Sequence, residues 1–334
     1  MNIIGLAVIR ISLKVRVASQ AGSLPGVRDR GLPNGSSLFA SLLVFMALAL
    51  AQNAAAQEME PRAYSPAPRG TQFLLLTYGY QSGDVLMDSS LPLRDVSVKL
   101  NAGSFAYGRT FSLAGRQANV ALLFPYIWGT AKGTVFEDEL AVRRSGGGDM
   151  RLRFSTILKG GRLLAPKEFA VRKRQTVVGA GVTIVIPSGQ YDPRRLINPG
   201  SNRWAFKPEI GLSKPLGRWT LELTGGAWLF TANNNFFGGS RREQKVIPSV
   251  QGAVIYTLRR RMWLSGNATF YSGGSTIIDG IANNDRQKNS RVGATFSFPF
   301  TQQQSMKLAW TKGVTTRIGG NLNTVTVGWQ YTWF

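Results

Sequence analysis

Residues 323–334 alternate with a period of two. Val325, Val327, Trp329, Tyr331 and Trp333 take one face of a strand, and Thr324, Thr326, Gln330 and Thr332 take the other. A last strand with an apolar, aromatic-tipped face is the pattern with which an outer-membrane β-barrel closes. Phe334 is out of register with that face, so Trp333 is the expected terminal anchor.

The same period recurs upstream. Strand-like segments fall at approximately 70–81, 95–110, 117–130, 148–159, 173–187, 202–214, 217–231, 244–258, 261–273, 288–299, 303–312 and 319–334. Arg151, Arg153 and Ser155 oppose Leu152, Phe154 and Leu158. Arg203, Lys207 and Glu209 oppose Trp204, Phe206, Ile210 and Leu212, and Glu222 opposes Leu221 and Leu223. Arg291 opposes Val292, Phe296 and Phe298, and Lys307 opposes Met306, Leu308 and Trp310. A charge on the lipid face of a barrel costs roughly 2–4 kcal/mol at mid-membrane, so these charges are expected inside. Trp128, Trp204, Trp219, Trp329 and Trp333, near strand ends, are the expected interfacial girdle. A soluble sandwich would alternate too; the terminal strand, the connections and the N-terminal segment favour the barrel. The expected fold is all-β: a transmembrane antiparallel up-and-down β-barrel of about twelve strands.

The connections sort by length. Turns after the second, sixth, eighth and tenth segments are short, whereas those after the first, third, fifth, seventh and ninth are long and rich in Gly, Asn, Asp and Ser. A barrel with both termini in the periplasm requires this asymmetry. The fourth connection, 160–172, is long where a short turn is expected.

Leu38 to Ala51 is an uncharged apolar run preceded by Arg28 and Arg30 and followed by Ala54, Ala55 and Ala56. It is shorter than the roughly 18 residues of a spanning helix and reads as a Sec-type signal peptide. The expected organisation is a signal peptide with an over-extended N-terminus over 1–56, a short periplasmic linker over 57–69 and an outer-membrane barrel over 70–334 in a Gram-negative envelope. Translation is expected to start later than Met1.

Forty Lys and Arg against seventeen Asp and Glu give a net charge of +23. In an exported chain this excess argues for a membrane-surface partner over nucleic acid. There is no cysteine and no histidine, which removes disulfides, thiolate chemistry, Ser-His hydrolysis and the usual zinc ligands. No enzyme, metal or cofactor is expected. Gly146-Gly-Gly148 reads as a loop end, Arg259-Arg-Arg261 as a turn near anionic lipid, and Glu137 to Glu139 as solvated loop charge.

Specific stretches carry a family resemblance: Tyr107 to Arg116 followed by Leu123-Phe-Pro-Tyr126, Gly148 to Arg153, Glu168-Phe-Ala170, Pro187-Ser-Gly-Gln-Tyr-Asp-Pro193 continuing through Asn198 to Glu209, Arg291-Val-Gly293 and Lys312 to Arg317. The chain resembles the Gram-negative outer-membrane family named for the MetA pathway of phenol degradation, over nearly all of its mature length. The resemblance implies a transporter-like barrel associated with aromatic compounds; the residues themselves do not show a phenol substrate.

Strand parity places Lys99, Arg109, Arg151, Arg153, Arg203, Lys207, Arg291 and Lys307 inward against Glu209 and Glu222. Two readings stand: a basic pore favouring anions, or Arg–Glu pairs that fill a narrow barrel. Residues 187–204 form the candidate gating or binding loop, with Tyr191 and Trp204 able to stack on an apolar ring and Asp192, Asn198, Asn202 and Arg203 able to hold polar groups. Equally, this segment is a compact turn held by Asn and Asp. The expected function is an outer-membrane channel or transporter for small solutes, aromatic compounds or anions among them. The alternative is a closed structural or adhesive barrel binding through its loops. Expected partners are outer-membrane lipid and lipopolysaccharide, the barrel-assembly machinery and a small-molecule solute.

Overall fold

The computed structural model describes residues 60–87, 93–135, 138–195 and 197–334. The expected signal peptide and late translation start lie outside the described residues.

The strands are β1 (Gln72–Leu86), β2 (Leu93–Leu113), β3 (Arg116–Val135), β4 (Asp138–Gly147), β5 (Met150–Lys159), β6 (Val177–Ile186), β7 (Ala205–Leu216), β8 (Trp219–Phe230), β9 (Asn233–Phe236), β10 (Ser240–Gln244), β11 (Ile247–Arg259), β12 (Met262–Gly273), β13 (Thr276–Ile278), β14 (Ile281–Ala282), β15 (Gln287–Pro299), β16 (Gln304–Thr316) and β17 (Gly319–Trp333). Each barrel strand pairs antiparallel with its sequence neighbour. The pairing of β1 with β17, from Gln72 opposite Trp333 to Leu86 opposite Gly319, closes the ring. β4 and β5 share one stave, because both pair with β3, so the barrel has 12 strands. β9, β10, β13 and β14 form a separate four-stranded sheet at the end with the longer loops. Closure leaves no unpaired edge in the barrel, which a bilayer requires.

Two-residue turns set the other end. Ala114 and Gly115 both take positive φ, as a type I′ hairpin demands, and Gly217 takes φ 60° in the turn before Trp219. Chain reversal there is tight enough to hold neighbouring strands in register, with Leu113 opposite Arg116 and Leu216 opposite Trp219.

Burial follows the expected inversion. Ser265, Asn267 and Thr269 of β12 are 2%, 6% and 7% exposed, while Leu221, Leu223 and Ile210 on the opposite face of their strands are 43%, 55% and 57% exposed. Polar side chains hidden and aliphatic ones bare is the reverse of a soluble sandwich. Val325 shares the outer face of β17 with Trp329, Tyr331 and Trp333. Aromatics band that face: Trp219 packs on Tyr256 and Tyr331 on Trp333 towards the short turns, and Trp128 packs on Tyr78 and Tyr126 and Trp204 on Phe206 towards the loops.

Two connections differ from expectation. Residues 131–147, expected in a long loop, are strand: β3 and β4 pair without interruption from Tyr126 opposite Gly147 to Val135 opposite Asp138. The charges of Glu139, Arg143 and Arg144 disguise this hairpin as a loop, yet a hairpin standing beyond the lipid can carry polar residues on both faces. The 160–176 connection contains a short helix, α1 (Pro166–Val171), with Glu168 accepting from the Ala165 backbone N–H at 3.1 Å. Its upstream arm receives the Arg69 N–H on the Leu164 carbonyl at 2.8 Å. Arg174 donates to Thr220 at 2.6 Å and to the Gly217 carbonyl at 3.2 Å. The extra length therefore ties residue 69 and the β7–β8 turn together.

Candidate functional site

Residues 60–68, expected as a linker, are lodged inside the barrel at its short-turn end. The Arg62 N–H donates to Glu222 Oε2 at 2.7 Å, Arg62 Nη2 to Thr257 at 3.1 Å, and its guanidinium lies 5.0 Å over the Trp263 ring. The Tyr64 hydroxyl donates to Glu209 Oε1 at 3.0 Å, and the Ala67 N–H to Gln117 Oε1 at 2.9 Å. Space for the Tyr64 ring exists because two inward positions are glycine: a Cβ at Gly179 or Gly211 would strike the ring. Tyr64 then packs on Ile157 and Val177. Sequence pattern could not show this, since a strap held by single donors to a lumen wall carries no periodicity of its own.

Above the strap lies an ionic centre built on one carboxylate. Glu209 accepts from Arg153 Nη2 at 2.6 Å through Oε1 and from Lys207 Nζ at 3.0 Å through Oε2, while Arg153 Nη1 reaches Glu60 at 3.1 Å. Charge-assisted bonds of this length are strong, and they saturate the buried Glu209. These residues line a cavity of about 500 Å³ together with Arg151 on β5 and Lys307 on β16; Phe73, Leu75, Ala106, Ala121 and Leu123 from β1, β2 and β3 line the arc between those two strands, with Leu123 directly beside Arg151. Basic residues thus flank an apolar arc of the lumen on both sides.

The long-loop end holds a second polar centre. Asp149, at the break between β4 and β5, accepts from the Gly189 N–H at 2.9 Å and from Ser201 N–H and Oγ at 2.8 and 2.5 Å. It thereby clamps the 187–204 loop across the mouth. Asn198 accepts from the Asp192 N–H at 2.9 Å and donates to the Asp192 and Arg195 carbonyls at 3.1 and 2.7 Å, so the loop is cross-braced from within. Arg203 donates to Gln244 at 2.5 Å and lies 4.4 Å over Phe230. Arg242, on the same face of β10 as Gln244, lies 5.3 Å over Phe236.

Between the two ends, cations rest on aromatic rings in a descending series. Arg242 is on Phe236, Arg203 on Phe230, Lys207 on Trp228 at 5.8 Å, Arg153 on Tyr64 at 5.7 Å, and Arg62 on Trp263. Phe230 and Trp228 are successive inward positions of β8, with Glu222 further along the same face, so the series runs along the lumen axis. A guanidinium covered on one face by a ring keeps its N–H edge for an anion.

The structure places the expected residues unequally. Arg151, Arg153, Lys207, Glu209 and Lys307 come together in the cavity. Glu222 lies at the strap, accepting also from Ser213 at 3.0 Å. Arg291 points inward but its Nη2 is engaged by Thr311 at 3.0 Å and the Leu322 carbonyl at 3.2 Å. Tyr191 donates to the Asn235 carbonyl at 3.1 Å and accepts from Asn233, and Asn202 donates to Asn233 at 2.9 Å. Asp192 is bound by Arg194 and Arg195 at 3.0 and 3.2 Å at the loop surface.

Arg109 and Lys99 are corrections. Both lie on the outer face of β2 with Phe105 and Tyr107, because Val96, Val98 and Ala106 take the inner one. That strand is apolar on both faces, so its alternation misassigns parity. Arg109 sits opposite Gln72 at the first residue of β1, where a long side chain can reach past the lipid edge. Trp204 is likewise outside, stacked on Phe206 and 42% exposed, and cannot serve the loop. The residues that sequence reasoning missed are Arg62, Tyr64, Asp149 and Arg242.

The family model described as "Putative MetA-pathway of phenol degradation" matches residues 80–327. Among solved structures, the chain is similar to the COG4313 outer membrane channel from Pseudomonas putida F1, at 21% identity and TM-score 0.69, covering 83% of this chain and 100% of that one. The beta domain of the Bordetella autotransporter BrkA has TM-score 0.49 and 10% identity, over 79% of this chain and 100% of that one. The transport unit of the Escherichia coli autotransporter AIDA-I has TM-score 0.48 and 10% identity, over 88% and 99%. No curated protein matches.

Proposed function

Since this chain belongs to the family described as "Putative MetA-pathway of phenol degradation", we propose that it is an outer-membrane channel for small amphipathic solutes. The observation that carries this reading is the cavity of about 500 Å³ in which Arg151, Arg153 and Lys207 on one side and Lys307 on the other flank an apolar arc of Phe73, Leu75 and Leu123. Such a lumen offers an apolar body a dry surface and an anionic group a focused positive potential. The similar barrel from Pseudomonas putida is itself an outer membrane channel, which supports the same role here. In this reading the short turns and both termini face the periplasm, Sec-type export and the barrel-assembly machinery deliver the chain, and lipopolysaccharide surrounds the loop end. The chain acts as a passage and not as a catalyst.

A closed structural barrel is the second reading, favoured by the strap of residues 60–68 across the lumen. Single-channel recording of the purified full chain in planar bilayers separates the two. The channel reading expects discrete current steps with anion preference that falls in Arg151→Ala and Arg153→Ala. No current from the intact chain, together with none from a chain lacking residues 60–68, supports the closed barrel.

A further inference from the structure

The long-loop end buries two like charges close together. Arg203 and Arg242 are 7% and 8% exposed. They meet on one face of β10: Arg203 bonds Gln244, and Arg242 is the next position on that face, about 7 Å away along the strand. Among the described residues neither forms an ion pair, and Arg203 Nη1 is buried without any hydrogen-bond partner.

Carboxylates that could have satisfied them are committed elsewhere. Asp149 spends both oxygens on Gly189 and Ser201. Asp285 accepts from Thr276 N–H and Oγ1 at 2.7 and 2.6 Å. Both acids balance the two arginines in total charge but leave the N–H edges unused. A buried donor left open in this way is costly, and an incoming oxyanion satisfies it. Burial lowers the pKa of both guanidiniums, and the proximity of Arg242 lowers that of Arg203 further; a bound anion offsets both effects.

We propose that Arg203 and Arg242 form the entry subsite of the lumen for a monocarboxylate carrying an aromatic ring. This rests on reading the lumen as a solute path and names the class of solute. The carboxylate seats on the free edge of Arg203 and on Arg242. The ring lies towards Phe230, which packs on the cluster of Trp228, Ile247 and Tyr271 just below. A monoanion suits the site better than a dianion, because two arginines already face two aspartates. Further down, Lys207 on Trp228 and Arg153 on Tyr64 repeat the same pairing of cation and ring, so the solute is handed between like sites without meeting an isolated charge.

Binding to the purified full-length protein in detergent, followed by titration calorimetry, tests this with benzoate, acetate, phenol, cyclohexanecarboxylate and inorganic phosphate as probes. Benzoate is expected to bind about tenfold or more tightly than acetate, phenol or phosphate. Arg203→Gln and Arg242→Gln each weaken benzoate by about tenfold or more, because each leaves the carboxylate one charged donor short. Lys288→Gln, which removes an equal charge from the outer face, leaves it unchanged. Folding of every variant is checked by the mobility shift of unheated barrel on gels. Phe230→Leu keeps both charges and is expected to lose the preference for benzoate over cyclohexanecarboxylate, which maintains the test if the arginine variants do not fold. Equal binding of benzoate and phenol, or benzoate affinity unmoved in either arginine variant or a preference unmoved in Phe230→Leu, overturns the proposal. Arginine-dependent benzoate binding by a chain that passes no current keeps the subsite and refutes the channel reading. Current without preferential benzoate binding does the reverse.

Discussion

Tyr64 and Glu209, 145 positions apart, are joined by a 3.0 Å hydrogen bond at the level where Arg153 and Lys207 also bind that carboxylate. One side chain thus fastens the N-terminal strap to the charged centre of the lumen. Tyr64→Phe is expected to loosen the strap modestly, because a hydrogen bond to a charged group contributes about 1.5–3 kcal/mol. Tyr64→Ala, which also removes the ring from between Gly179 and Gly211, is expected to raise single-channel conductance about severalfold over the wild type. Unchanged conductance in Tyr64→Ala would mean that the strap does not limit the passage.

The two glycines provide an independent handle on the same contact. Gly211→Val puts a side chain where the Tyr64 ring lies, and its β-branch suits the strand otherwise. Trypsin is expected to cut after Arg62 or Arg69 in this variant far faster than in the wild type, with the barrel left intact.

Glu209 partly neutralises a wall that is otherwise basic. Glu209→Gln is expected to increase the anion-to-cation permeability ratio, and Lys307→Gln to decrease it, when reversal potentials are measured across a salt gradient. The first change leaves Arg153 and Lys207 without their shared partner, a loss of roughly 3–5 kcal/mol for a buried pair. Its unfolding midpoint in denaturant is expected to fall accordingly.

Adjacent residues of β8 separate lipid from lumen. Leu223 is 55% exposed on the outer face, and Thr224 lines the cavity. Leu223→Lys is expected to destabilise the barrel in lipid by roughly 2–4 kcal/mol, and Thr224→Lys by about 1 kcal/mol or less. Reversible unfolding in lipid vesicles reads the difference.

Asp192 gives the 187–204 loop an acid limit. Side-chain and backbone hydrogen bonds from Arg194 hold its carboxyl below the ordinary value. A depressed folded-state pKa contributes stability above the unfolded value of about 3.9 and loses it as pH falls through the folded one. Hydrogen exchange of residues 190–198 is therefore expected to be slow at neutral pH and to quicken below about pH 4. Asp192→Asn should exchange fast at both.

Much of the barrel was legible because a membrane imposes a strict period. All twelve expected segments contain a barrel strand, and the parity of β5, β7, β15, β16 and β17 is as expected, since each sets charges or hydroxyls against aliphatics on a two-residue repeat. Parity failed at β2, where Val96, Val98 and Ala106 make the inner face as apolar as the outer. The β3–β4 hairpin was hidden by charges that cost nothing beyond the lipid. At the site, the cluster of Arg153, Lys207 and Glu209 could be read from strand faces, whereas Arg62, Tyr64 and Arg242 could not. Those three enter through long-range contacts between a strap, a loop sheet and a wall, and a local pattern carries no record of such contacts.

The central claim is that a wetted, basic face lines the inside of the barrel and carries the solute. The natural chain has no cysteine, so single cysteines at Lys207 and Ile210 report on the two sides of β7 without interference. With single-channel recording in a planar bilayer, a negatively charged, membrane-impermeant thiol reagent is expected to react with Lys207→Cys and cut the current, and to leave Ile210→Cys unlabelled. Reaction at Ile210→Cys with Lys207→Cys silent would contradict the account.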